Sequence, residues 1–155
     1  MKRLLIVLTL AASALASTPA PGTTGKTEPA LQVPGFWNQL RPVIDKYLGM
    51  PYVWGASGLK SFDCSGFVWR VLWENGILIK RTTARKLFLS LPEVPPDQRW
   101  SAGNIVFFDD LKHCGIVAGR NKFYHAETSI GTNLSPFDPY WRPKICGFRA
   151  LPISQ

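Results

Sequence analysis

The stretch FDCSGFVWRVLW, Phe62–Trp73, sets a single cysteine between an aspartate and a Ser-Gly pair, at the point where a helical apolar pattern begins. Phe67, Val68, Val71 and Leu72 fall on one stripe, and Asn75-Gly76 is a standard helix stop. The spacing predicts a helix from Cys64 to Asn75 with Cys64 in its first turn. A thiol at its ordinary pKa of ~8.5 is mostly protonated at neutral pH, whereas a helix N-terminus and a nearby imidazolium both favour the thiolate. Ser65 and Gly66 suit a reactive site too, because small residues let a substrate carbonyl approach backbone N–H groups that stabilise an oxyanion. On position alone, Cys64 reads equally as a nucleophile and as a buried structural thiol.

On the N-terminal side, Leu40, Val43, Ile44, Tyr47 and Leu48 have helical spacing. Pro42 interrupts them, and proline is best tolerated in a first turn, so the regular helix is expected to start at Arg41 or Pro42. Gly49 and Pro51 end it. A third short helix is expected in RTTARKLFLSL, capped by Thr82 or Thr83. After PEVPPDQ the pattern changes to extended segments, NIVFF, HCGIVAG, KFYHAE and ICGFRAL, rich in β-branched and aromatic residues. Helices first and strands after predict an α+β domain, with N-terminal helices packed on a C-terminal antiparallel sheet.

The totals bound the partners. A chain of 155 residues predicts one domain, since a second core needs roughly another hundred residues. Lys2 and Arg3, the apolar run Leu4–Leu10 and the small residues Ala14-Leu15-Ala16 predict a secretory signal peptide over residues 1–16. That apolar run is shorter than the ~20 residues a membrane-spanning helix needs, so no stable membrane insertion is expected after cleavage. Residues 17–35, dense in Pro, Gly, Ser and Thr, are expected to be a flexible leader, and residues 36–155 the domain. The formal charge is +8, and removing Lys2 and Arg3 leaves +6. In an exported protein this surplus favours acidic envelope polymers; no run of five like charges and no aromatic-basic signature supports nucleic acid.

Cys64, Cys114 and Cys146 are an odd set of cysteines, with no Cys-x-x-Cys pair, and the two histidines add no usual ligand pattern, so no metal is expected. His113 opens one predicted strand and His125 lies in the next. Facing residues of a hairpin share a side of the sheet, so a two-residue turn would separate these histidines and a three-residue loop within GRNK would bring them together. Cys114 would then face away from His113, as a core or disulfide residue.

Together, YVWGASGLKSFDCSGFV, RTT, AGNIVFF, HCGIVAG, FYHAE and YW resemble, in that order, the NlpC family of papain-like cell-wall cysteine endopeptidases. The resemblance covers essentially the whole domain and implies the papain-like NlpC-type fold. It implies Cys64 as nucleophile, His113 as the base and His125 as the polar group orienting that imidazole, with Glu127 as second choice for the orienting role. It implies substrate binding by Tyr52, Asp63 and Ser65, where Tyr52 also reads as a packed loop aromatic and Asp63 as a helix N-cap. It further implies hydrolysis of peptidoglycan stem peptides, often between D-glutamate and a diamino acid, in the periplasm, cell envelope or extracellular space, with no cofactor. Ala56, Asn104 and Lys86 depart from the family pattern; Lys86 reads either as a contact for an acidic peptide or as a solvated helix charge.

Export permits disulfides and Cys64 must stay free, so Cys114 and Cys146 are expected either to pair, which needs neighbouring strands, or to remain buried thiols. A Cys-His site serves a peptidoglycan amidase or an acyl transferase equally, and a non-catalytic wall-binding module is the rival from another class. Affinity for the wall polymer is expected from the groove and basic surface, or from a wall-targeting partner protein.

Overall fold

The computed structural model describes residues 35–153. The signal peptide expected over 1–16, and all of the expected leader except Gly35, lie outside the described residues. Gly35, in a left-handed conformation (φ 104°), is the N-cap of helix α1 (Phe36–Lys46). The helix therefore starts at Phe36 and runs through Pro42, earlier than the proline suggested. Leu40 and Ile44 are fully buried on either side of Pro42, which anchors both halves, while exposed Pro42 and Asn38 let water reach the carbonyl that loses its intrahelical donor. Helix α2 (Cys64–Glu74) and helix α3 (Ala84–Ser90), capped by Thr83, follow the predicted pattern.

Five strands follow: β1 (Ile105–Phe108), β2 (His113–Gly119), β3 (Lys122–Glu127), β4 (Gly131–Pro136) and β5 (Ile145–Arg149). They form one antiparallel sheet in the order β4-β3-β2-β1-β5. The expected α+β architecture is thus observed, with one more strand than the apolar runs suggested. β4, GTNLSP, lacks the apolar content that marks a strand; its partner β3 pairs with it residue for residue from Lys122↔Pro136 to Glu127↔Gly131.

Both faces of the sheet are covered, which is why Ile105–Phe108 are all fully buried. On one face Ile105, Phe107, Cys114 and Ile116 meet Leu40, Phe67 and Leu72 of the helices. On the other, Val106, Phe108, Val117 and Phe123 pack with Phe137, Trp141 and Phe148. Each fully buried side chain of this size stabilises the fold by ~1.5–3 kcal/mol.

The β2–β3 hairpin corrects the expected three-residue loop. Gly119 pairs with Lys122 across the two residues Arg120 and Asn121, but a bulge between Val117 and Gly119 adds one residue to β2. That extra residue shifts the parity as an odd loop would, so His113 and His125 share a face after all. Cys114 faces the helices, opposite to His113.

Of the two expected states of Cys114 and Cys146, the disulfide does not form, and of the two free thiols only Cys114 is buried. β1 lies between their strands, which puts the backbones roughly 9–10 Å apart, too far for a disulfide. Cys64 and Cys114 are buried thiols and Cys146 an exposed one.

Two outcomes follow from these contacts. Alkylation of the denatured protein without reductant should label three thiols by intact mass; one labelled thiol would restore the disulfide. In Gly66→Ala the new Cβ would stand 2.0 Å from the backbone oxygen of Ala56, so the substitution should cost about 2 kcal/mol or more in urea denaturation. An unchanged midpoint would mean that the Ala56 loop does not close on α2.

Candidate active site

Asp63 caps α2 and ties several elements together. Its Oδ1 accepts from Gly66 N at 2.5 Å and Ser65 Oγ at 2.9 Å; its Oδ2 accepts from Gly55 N at 3.0 Å and Arg81 Nη2 at 2.7 Å. Ser65 Oγ in turn accepts from Arg81 Nη1 at 3.0 Å. Asp63 is therefore the N-cap, and both oxygens are engaged within the protein. Cys64, the first residue of α2, is 6% exposed. The space that Gly66 leaves open is filled by the Ala56 backbone, and its amide is taken by Asp63, so it offers no donor to a ligand. The first-turn amides of Cys64 and Ser65 have no intrahelical acceptor by position and find none elsewhere among the described residues.

Cys64 comes against the start of β2, with Sγ 3.8 Å from the Lys112 carbonyl oxygen. The connection that delivers this carbonyl is strained: Asp109, Asp110 and Leu111 all have positive φ (51°, 52° and 67°). Non-glycine residues adopt that region only when their surroundings demand it. The demand comes from Asp109 N donating to the Lys144 carbonyl (3.0 Å), Lys112 N donating to the Asp109 carbonyl (3.0 Å), and Arg85 Nη2 donating to the Asp110 carbonyl (3.2 Å).

His113 Nε2 lies 2.8 Å from His125 Nδ1, and His125 Nε2 lies 2.8 Å from Ser135 Oγ. Gly115 stands opposite His125 in the shared register; a Cβ there would come within 3.1 Å of the His125 Cβ and 2.6 Å of the Tyr124 carbonyl oxygen, so only glycine leaves room for the pair. Trp141 stacks on the His113 ring at 5.3 Å and 24° and meets His125 edge-on at 5.0 Å. Glu127 Oε2 is 3.8 Å from His125 Nε2, beyond hydrogen-bond length.

The Cys64 pKa is pulled down to about 5. The neighbouring Cys114 thiol acts most strongly, burial opposes it, and His113 acts in the same direction as Cys114. Cys114 is pushed well above the ordinary thiol range by its contact with Cys64 and by burial, so it stays protonated. Burial, then the charge of His113, lower His125 to about 3, leaving it neutral at ordinary pH. Tyr52 is pushed up by burial first and by Cys64 second, and its hydroxyl finds no partner among the described residues.

Two hollows flank the Cys64–His113 contact. A cleft of about 640 Å³ is walled by Trp54, Asp63, Cys64, Ser65 and the cationic Arg81, Arg85 and Lys112. The other, of about 400 Å³, holds Tyr52, His113, Asp109, Glu127, Tyr140 and Trp141. Lys86 lies in neither; it lines a separate depression of about 340 Å³ that meets the larger cleft only at Thr82. Among the described residues no three His, Cys, Asp or Glu side chains converge as ligands for a metal.

The structure thus places Cys64, Asp63 and Ser65 on the wall of the larger hollow and Tyr52 and His113 on that of the smaller, with His125 buried behind His113. Sequence reasoning missed four neighbours. Arg81 was visible only as part of RTT, and Trp141 only as part of YW. Ser135 and Asn133 lay in the strand that its polar composition concealed.

The family model described as NlpC/P60 family matches residues 49–150. The chain is 36% identical over 105 residues to the probable peptidoglycan endopeptidase LytE of Bacillus subtilis, covering 64% of this chain and 30% of that one. It is 34% identical over 110 residues to the murein DD-endopeptidase MepS/murein LD-carboxypeptidase of Escherichia coli, covering 66% and 57%. A crystal structure of an NLP/P60-family protein from Staphylococcus aureus superposes with a TM-score of 0.72 at 27% identity, over 84% of this chain and 46% of that one. The chain spans less than two thirds of the length of these curated relatives. With the model matched across the helices and the sheet that build the groove, the chain belongs to the NlpC/P60 family.

Proposed function

We propose that the protein is an exported cysteine peptidase that hydrolyses peptide bonds in peptidoglycan stem peptides, using Cys64, His113 and His125. The observation that carries this reading is the buried Cys64, lowered to about 5, on the wall of the larger hollow and beside an imidazole that lines the smaller one and is backed by a second imidazole. Its relatives named peptidoglycan or murein endopeptidases support the substrate class.

In this reading the Cys64 thiol gives its proton to His113, and the thiolate attacks the scissile carbonyl carbon. The carbonyl electron pair moves to oxygen, where the amides of Cys64 and Ser65 meet it. Collapse of this intermediate breaks the C–N bond; the departing amine takes the proton from His113 and leaves a thioester on Cys64. Water then gives a proton to His113 as its oxygen attacks the thioester, and the peptide acid leaves as Cys64 recovers its proton. His125 accepts from His113 throughout and steadies the imidazolium. The free hydroxyl of Tyr52 binds the peptide near the nucleophile. Asp63 and Ser65 line the groove and serve the substrate by holding Arg81 and the Trp54-Gly55 loop in its wall.

The charges of the two hollows support the finer assignment to a bond between D-glutamate and a diamino acid. With Arg81 already paired to Asp63, Arg85 and Lys112 leave the hollow beside Cys64 cationic, while Asp109 and Glu127 line the hollow beside His113, which suits a peptide with a carboxylate on one side of the cut and a free amine on the other. Export rests on the N-terminal pattern of residues 1–16, with the domain taken as 36–155. The same site on an amidase or acyl transferase is the second reading, since a Cys-His pair forms the same acyl-enzyme in each case.

Defined muropeptides incubated with protein beginning at Ser17, with Cys64→Ala in parallel, should yield new fragments only with the wild type, and their masses name the bond. Cys64→Ala should lower turnover ~10³-fold or more. If neither protein alters any muropeptide while both sediment with intact sacculi, the protein is a wall-binding module instead. The rate of Cys64 alkylation should fall as pH drops through about 5, because the thiolate is the reactive form and is lost below its pKa. A midpoint near the ordinary thiol value of ~8.5 would remove the activated nucleophile.

A further inference from the structure

Behind the two histidines the hydrogen bonds have a direction that the heavy atoms alone decide. Asn133 Nδ2 donates to the Gly131 carbonyl at 2.9 Å. A flipped amide would set two oxygens against each other at that distance, so Oδ1 is the atom that faces Ser135. The Ser135 hydroxyl donates its one proton to this Oδ1 at 2.7 Å. Toward His125 Nε2, at 2.8 Å, Ser135 Oγ can then only accept. Nε2 must carry the proton of the neutral ring, and the carboxylate of Glu127, 3.8 Å from the same nitrogen, favours that tautomer as well. His125 Nδ1 is therefore bare and accepts from His113 Nε2–H at 2.8 Å. The nitrogen of neutral His113 left without a proton is Nδ1, the one available to Cys64.

From this chain of contacts we infer that Ser135 and Asn133 are positioning residues, which set the tautomers of both histidines and so present the basic nitrogen of His113 to Cys64. The inference rests on the reading of Cys64 and His113 as the reacting pair. One transfer is at issue: the S–H bond of Cys64 breaks, an N–H bond forms at His113 Nδ1, and the products are a thiolate and an imidazolium whose Nε2–H still points to His125. Were the relay reversed, His125 would offer a proton to His113 Nε2 and could not accept from the imidazolium.

The relay is anchored to the frame of the domain. Gly131 has φ 84°, and a Cβ on it would stand 2.2 Å from the Met50 carbonyl oxygen, so the chain after α1 pins this residue. Thr132, between the two relay residues' anchor points, donates from N to the Met50 carbonyl and accepts Met50 N at its hydroxyl, both at 2.8 Å. Ser135 is 8% exposed and pairs with Phe123. The carbonyl that orients Asn133 is thereby held by the segment that also carries Tyr52 to the groove.

The test uses the Ser17 protein labelled with ¹⁵N-histidine, read by long-range ¹H–¹⁵N NMR, beside Ser135→Ala, Ser135→Thr and Asn133→Ala. In the wild type and in Ser135→Thr, His125 should show a protonated Nε2 and a bare Nδ1. Ser135→Ala and Asn133→Ala should lose this preference and move the midpoint of Cys64 alkylation upward. On the muropeptide that the wild type cleaves, kcat should fall on the order of tenfold in both alanine variants, with KM within about twofold and with recovery in Ser135→Thr. A purely structural role would lower thermal stability without moving the tautomer or the alkylation midpoint. Unchanged NMR tautomer and alkylation profile in folded Ser135→Ala overturn the inference; if that variant does not fold, the same result in Asn133→Ala does so. Should the wild type cleave no muropeptide, the NMR and alkylation readouts still decide the relay, while the peptidase reading fails separately.

Discussion

The four hydrogen bonds of the Asp63 carboxylate hold the groove together. One buried side chain caps α2, fixes Gly55 in the loop that precedes it, holds Ser65, and pairs with Arg81 from the segment before α3. Unpaired, a carboxylate 7% exposed would be costly to bury. With four donors it becomes the point where three pieces of chain meet, and the first turn of α2 can leave the Cys64 and Ser65 amides open to the groove. An interaction that began as a local cap thus decides where the larger cleft lies.

A second constraint is parity. Side chains alternate along a strand, so a one-residue change between β2 and β3 would send His125 to the helix face. The bulge between Val117 and Gly119 supplies the residue that corrects a two-residue turn. Gly115 then allows the close approach of the two strands beneath His125, and Trp141 closes over both rings. On the opposite side of the same strand, Cys114 packs against the helices, and its thiol is the strongest influence lowering the Cys64 pKa. Adjacent residues on β2 therefore act on Cys64 from different surroundings, one an imidazole in an aromatic pocket and the other a thiol in the main core. The strained Asp109–Leu111 turn brings the start of β2 to α2. Its left-handed residues are held there by Lys144 and Arg85, from segments distant in sequence.

Much of this was legible before any coordinates. The apolar stripe of α2 announces a helix, and Asn75-Gly76 its end; the alternation of HCGIVAG and KFYHAE marks strands. Pro42 misled because its cost is local, while the burial of Leu40 and Ile44 that outweighs it is not visible in spacing. β4 escaped because GTNLSP has neither apolar alternation nor many β-branched residues. Its strand character comes from pairing with β3, a long-range choice that local propensity does not encode. With β4 unseen, Ser135 and Asn133 had no place beside the histidines. The Cys114–Cys146 pairing failed for a similar reason, since the order of strands, with β1 between them, is a property of the sheet.

By itself, the sequence determined the kinds of residue available and their local conformations: a thiol at a helix start capped by an aspartate, two histidines on successive strands, basic residues around RTT, and an apolar pattern that folds helices onto a sheet. Short-range forces suffice for these, because caps, helical stripes and strand alternation act within a few residues. Only the tertiary structure decided that His113 and His125 share a face, that His125 is buried against Ser135, that Arg81 pairs with Asp63, and that Arg85 and Lys112 line the hollow beside Cys64 while Asp109 and Glu127 line the one beside His113. Those outcomes depend on strand order, on one bulge and on contacts between segments as much as 85 residues apart, such as Tyr47 with Thr132. Desolvation and hydrogen-bond direction in the groove exist only once these segments have met.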